Sequence, residues 1–147
     1  MFSLLLVSPV FAQERGTRDE AVAMVNDFIA YYKEKGPVKA YAEVQNTKGR
    51  FRKKDLYIFV AKTTFDNETL VLAHGANPAI VGRNVDSMRD ADGKYFFQDF
   101  RTVYLSEAKE GWVDYKWPHP VTKKVESKST FIKKVDENIY AGCGVSE

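Results

Sequence analysis

From Thr17 onward, apolar residues recur at intervals of three and four. Ala21, Met24, Val25, Phe28, Ile29 and Tyr32 fall on one stripe of a helix, with charged and polar residues between them. Thr17 stands three residues before Glu20, the spacing at which a hydroxyl and a carboxylate close a capping box, and Gly36-Pro37 supplies the stop. A second, shorter helix is predicted over 38–45, with Ala40, Tyr41 and Val44 on one face. Past Asn46 to Gly49 the periodicity changes. "DLYIFVAK" (55–62) and "TLVLAH" (69–74) are rich in β-branched and aromatic residues and read as the two arms of a hairpin across "TTFDNE". Gly75, Pro78, Gly82 and Gly93 then punctuate a long loop. A helical pattern returns between Tyr95 and Lys109, with Phe96, Phe97, Phe100, Val103, Tyr104 and Ala108 as its apolar face. Three strands close the chain, at 112–117, 124–135 and 138–144. The short links "PHPVTK" and "DEN" predict antiparallel neighbours.

This order predicts an α+β domain: a five-stranded antiparallel sheet, a long N-terminal helix packed on it, and a lid of loops and helix. The helical arm occupies 13–46, the sheet and lid 47–147. With 147 residues, 44% of them hydrophobic, the chain fits one domain with enough core to fold without a disulfide or metal. The first twelve residues, "MFSLLLVSPVFA", form an apolar run with small residues where a signal peptidase reads. A secretory leader over 1–12 is expected, placing the mature chain in a periplasm or outside the cell. The run is too short to span a bilayer. Charge changes the picture by exclusion: 22 basic against 20 acidic residues leave a net +2, too balanced for a phosphate-backbone footprint, so nucleic acid is not an expected partner.

Candidate chemistry concentrates in "GWVDYKWPHP" (111–120), which holds both tryptophans, a tyrosine, a histidine and two prolines. As a strand, it sends Val113, Tyr115 and Trp117 to one face and Trp112, Asp114 and Lys116 to the other. Each face carries a tryptophan, so both meet something other than bulk water, either core or ligand. No Gly-x-Ser-x-Gly, His-Glu-x-x-His or phosphate loop is present, and the expectation is a protein that is not an enzyme and carries no cofactor. "DSMRDADG" (86–93) lacks the spacing of a calcium loop and reads as a turn before a helix, so no metal is expected. Cys143 is single and reads as a small packed side chain. Arg83, beside Gly82 in the loop after the second strand, is an anion-binding candidate.

"DLYIFV", "LAHGANPAIVGRN", "DADGKYFFQDF", "GWVDYKWPHPVTKKVESKSTFIKKV" and "IYAGCGV", in that order, resemble the single Cache domain, the extracytoplasmic sensor module of bacterial chemoreceptors and histidine kinases. The likeness runs from about Val22 to Val145 and is similar above all to secreted proteins made of that domain alone. It implies a PAS-like fold with a small-molecule pocket over the front of the sheet, taking short organic acids such as acetate, propionate, lactate or pyruvate. Carried over residue by residue, the resemblance implies a pocket of Tyr57, His74, Trp112, Tyr115, Trp117 and Lys128. There Lys128 neutralises a carboxylate, His74 and Tyr57 donate hydrogen bonds, and the tryptophans form dry walls. Phe131 stands where the family often has a tyrosine. Structural alternatives stay open at this point: Lys128 as one more solvated lysine beside Lys123, Lys124, Lys133 and Lys134, His74 as a loop cap, Tyr57 as core. Two functions follow. One is a binding protein that captures a short organic acid and presents it to a membrane sensor protein. The other is a non-catalytic interaction module with a filled cavity.

Overall fold

The computed structural model describes residues 14–147; the leader expected over 1–12 lies outside the described residues. Helix α1 (Arg18–Lys35) opens on the capping box: the Thr17 hydroxyl accepts from the Glu20 amide, and the Glu20 carboxylate accepts from the Thr17 amide, each at 3.2 Å. Its buried stripe is the one that the periodicity predicts, Ala21 to Tyr32. Gly36, at φ 86°, breaks the helix in a conformation that L side chains resist, and Pro37 starts α2 (Pro37–Gln45) with its φ already set.

The predicted strand at 55–62 divides. Its first half forms a small hairpin, β1 (Arg52–Lys53) against β2 (Leu56–Tyr57), and its second half is β3 (Phe59–Thr63) of the main sheet. Residues 56–61 are all buried, so the hydrophobic run is continuous although the pairing partner changes at Ile58. The chain continues through β4 (Thr69–His74), a single 3₁₀ turn (Pro78–Ile80), α3 (Phe96–Tyr104), β5 (Glu110–Pro118), β6 (Val125–Asp136) and β7 (Ile139–Ser146). Helix α3 ends five residues earlier than the pattern predicts. The Ser106 hydroxyl bonds back to the Val103 carbonyl at 2.6 Å, Lys109 takes φ 60° to turn into β5, and Ala108 is left exposed.

The main sheet has the order β4-β3-β7-β6-β5 and is antiparallel throughout, as expected. Alternation divides the interior into two cores. Phe28 of α1 packs with Val60, Phe131, Cys143 and Val145 behind the sheet; Phe59, Ile132, Tyr115 and Tyr140 meet the phenylalanines of α3 in front. Both sheet edges are partly covered. Along β4, segment 82–85 exchanges backbone bonds with Thr69 and Val71 at 2.8–3.2 Å. Along the middle of β5, the Asp90 carboxylate accepts from the Lys116 amide at 3.0 Å and Lys94 donates to the Asp114 carbonyl.

Candidate functional site

In front of the sheet, the ends of β2 and β4 bring Tyr57 and His74 together, with ring centroids 5.0 Å apart. His74 is fixed by the loop that it begins: Nδ1 accepts from the amides of Ala76 at 3.1 Å and Asn77 at 2.8 Å. The proton of the neutral ring therefore sits on Nε2, which has no protein partner among the described residues. Burial, reinforced by Lys128 and Arg52, holds the His74 pKa down at about 3, so the imidazole is neutral near pH 7.

Lys128 is only 4% exposed, which removes it from the solvated lysines around it. Its Nζ donates to the Tyr57 hydroxyl at 2.8 Å and lies 4.6 Å from the Tyr57 ring centroid; among the described residues no carboxylate pairs with it. The stem crosses the sheet where β7 offers Gly144, whose Cβ, if present, would stand 2.4 Å from the lysine Cε. Beside it on β5, in register with Lys128, Tyr115 hydrogen-bonds Thr130 hydroxyl to hydroxyl at 2.9 Å, and burial pushes its phenol up to about 12.

Two adjoining spaces lie beside these side chains. The inner chamber, about 10 Å³, is bounded by Phe59, Ile80, the three α3 phenylalanines and Tyr115. The outer vestibule, about 290 Å³, is bounded by Ala76, Asn77, the 118–120 turn and Lys123. Tyr57, His74 and Trp117 line both and form the partition. Phe96 holds this wall in place, stacked on Tyr115 at 4.6 Å and edge-on to Trp117 at 5.0 Å.

His119, which the sequence reading did not single out, forms part of the vestibule wall. Its Nδ1 accepts from the Val121 and Thr122 amides at 3.2 Å each, repeating the arrangement at His74. Nε2 then donates to Asp55 at 3.0 Å, and the other Asp55 oxygen accepts from the Gly16 amide at 2.7 Å. The shared signal was a histidine ending a strand ahead of a proline-containing turn. Arg52 was also missed; it donates to the Gly75 carbonyl behind His74.

Of the residues predicted for a pocket, Tyr57, His74, Tyr115 and Trp117 come together, and Lys128 stands one hydrogen bond behind Tyr57. Trp112 does not join them. It lies on the helix side of the sheet, 5.4 Å from Phe131 and beneath the Arg18 guanidinium at 4.5 Å. Strand alternation forbids Trp112 and Trp117 from sharing a face. Phe131 is on that rear face too, so its missing hydroxyl takes nothing from the chamber. Arg83 is exposed in the segment covering β4 and lines neither space. Cys143 is buried behind the sheet, its thiol pushed up to about 12 by burial. Asp90 accepts from the amides of Asp92 and Lys94, making 90–94 the turn that was expected there. Among the described residues no cluster of His, Cys, Asp or Glu could hold a metal ion.

A long helix behind a five-stranded antiparallel sheet, with loops and a short helix closing an aromatic chamber in front, defines a PAS-like α+β domain. The chain belongs to the Cache domain family, whose sequence profile matches residues 16–145. Three solved structures share the fold. A methyl-accepting chemotaxis protein from Vibrio parahaemolyticus superposes with a TM-score of 0.71 at 15% identity, over 88% of this chain and 87% of its own. A Cache chemosensory domain described by its carboxylic acid recognition gives 0.66 at 18% identity, over 87% and 86%. The periplasmic sensor domain of a chemotaxis protein gives 0.65 at 21% identity, over 87% and 88%. No helix among the described residues is long and apolar enough to cross a membrane.

Proposed function

We propose that this protein is an extracytoplasmic sensory Cache domain that binds a short organic acid between Tyr57 and His74, and that a separate membrane signal-transduction protein reads the occupied state. The observation that carries the reading is the Lys128 ammonium, buried and without a carboxylate partner among the described residues. A desolvated cation costs several kcal/mol of stability and is kept where something negative meets it. Tyr57 transmits that charge: its oxygen accepts from Lys128, leaving its own proton free for a ligand oxygen. Nε2–H of His74 is the second donor, and the aromatic walls strengthen both bonds by excluding water. Among the described residues no Asp or Glu lines either space, which leaves the lining without a carboxylate to repel an anion. The Cache domain of the same fold that is described as recognising carboxylic acids supports the same ligand chemistry.

The reading is non-catalytic. The His119–Asp55 pair has no nucleophile to serve, because the second nitrogen of His119 is held by two backbone amides. A second reading, an interaction module with a filled cavity, draws on the 10 Å³ inner chamber, too small for more than about one water-sized group. Thermal-shift titration with acetate, propionate, lactate and pyruvate separates the two. Ligand at ~100 times its dissociation constant adds about 2.7 kcal/mol, a rise of roughly 5 to 10 °C for a domain of this size. The rise is expected with at least one acid and absent from Lys128→Met. A flat panel would sink the organic-acid reading and favour the interaction module.

A further inference from the structure

We infer that the tip of the β5–β6 hairpin, Pro120 to Val125, docks on an anionic phospholipid surface. The tip is built around His119. Its Nδ1 accepts from the amides of Val121 and Thr122 at 3.2 Å each, its carbonyl accepts from the Lys123 amide at 2.9 Å, and its own amide donates to the Lys124 carbonyl at 2.8 Å. The Thr122 hydroxyl accepts from the Lys124 amide at 3.3 Å. Every amide from Val121 to Lys124 is thus closed inward, so the loop holds one shape and turns its side chains outward.

Those side chains are of two kinds. Val121 and Val125 stand 49% and 56% exposed. Lys123 and Lys124 are exposed and form no ion pair among the described residues. From Tyr115 to Val125 the chain has no acidic residue, and the two carboxylates beside the tip are engaged, Asp55 by His119 and the Gly16 amide, Glu126 by a paired contact with Arg15 at 2.8 Å. The tip therefore presents two unneutralised cations among apolar groups, and its counterpart is negative. Size decides between a protein and a lipid. A stable protein contact takes about 800 Å² from each side, more than a six-residue turn gives. A bilayer surface needs no matching shape: the ammonium groups reach the phosphates while the lysine stems and the valines lie in the headgroup layer. Pro118, Pro120 and Lys123 also line the vestibule, so this contact holds the vestibule beside the lipid, where the membrane partner proposed above resides. The inference does not depend on which ligand the pocket takes.

Flotation with large unilamellar vesicles tests this, comparing equal parts of phosphatidylglycerol and phosphatidylcholine with phosphatidylcholine alone. At low salt the protein is expected to float with the anionic vesicles and not with the neutral ones, and to be released as salt is added. Joint Lys123→Gln and Lys124→Gln substitution is expected to weaken binding about 25-fold, roughly fivefold for each lysine. Joint Val121→Ser and Val125→Ser substitution keeps every charge and is expected to weaken binding severalfold. Lys39→Gln, which removes an equal exposed charge from the first turn of α2, is expected to bind as the wild-type protein does. Failure to float with phosphatidylglycerol vesicles would overturn the inference and make an acidic protein face the counterpart of the tip. Undiminished binding by either double variant would overturn it as well. A loss in Lys39→Gln equal to that in Lys123→Gln would do the same, because the attraction would then follow net charge and not the tip.

Discussion

An ammonium withdrawn from water with a phenol as its nearest partner works against the fold that holds it. Lys128→Met keeps the length of the stem over Gly144 and removes the charge, so its melting midpoint is expected to equal or exceed that of the wild-type protein, even as the response to carboxylates is lost. A midpoint several degrees lower would mean that the Lys128–Tyr57 contact is a structural bond and not a waiting ligand site. His74 carries a separate, pH-dependent term. Its folded pKa of about 3 lies below the ordinary value of 6.5, so the unfolded chain takes up the proton first. The stability that His74 contributes is complete above about pH 6.5 and is lost as pH falls toward 3. In His74→Asn the side-chain oxygen can still accept from Ala76 and Asn77. This variant is expected to flatten the decline between pH 6.5 and 4, as measured by denaturant midpoints; an unchanged slope would assign the decline to other groups.

Among the elements, β7 leaves no room in front of the sheet for a side chain at Gly142. A Cβ on Gly142 would meet the Phe59 ring at 2.5 Å and Ile132 at 2.8 Å, both backed by α3. Gly142→Ala is therefore expected to lower stability by about 1 to 3 kcal/mol through overpacking, read from chemical denaturation. Nothing in "IYAGCGV" announces that demand, because a glycine's neighbour across a sheet is a tertiary fact. The elements themselves were legible by different signals: the α1 stripe follows its helical period, whereas β6 and β7, buried on both faces over much of their length, were found by β-branched and aromatic content and by their short links. Legibility failed where burial was two-sided, at Ile58, and where a side chain competed with the helix, at Ser106. Within the site, alternation along 112–117 already separated Trp112 from Trp117, and a strict use of it excludes Trp112. The burial of Lys128 was not readable, since its neighbours in sequence include four other lysines and the partners that enclose it, Tyr57 and Gly144, are distant along the chain.

For the molecule as a whole, Asp55 joins three regions: the entry to α1 through the Gly16 amide, the turn after β5 through His119, and its own small hairpin. Asp55→Ala leaves the buried His119 Nε2–H and the half-buried Gly16 amide unmatched and is expected to cost about 2 to 4 kcal/mol. It should also speed hydrogen exchange at the Gly16 amide ahead of the main sheet; exchange unchanged there would show that the helix entry is held by other contacts. The covered margins of the sheet bear on how other chains can meet this one. Because 82–85 bonds Thr69 and Val71 along β4, and Asp90 with Lys94 takes the Lys116 amide and the Asp114 carbonyl of β5, a guest strand finds each edge interrupted. Stacking of copies along the β4 edge, one first step toward a fibril, would have to begin by peeling 82–85 away.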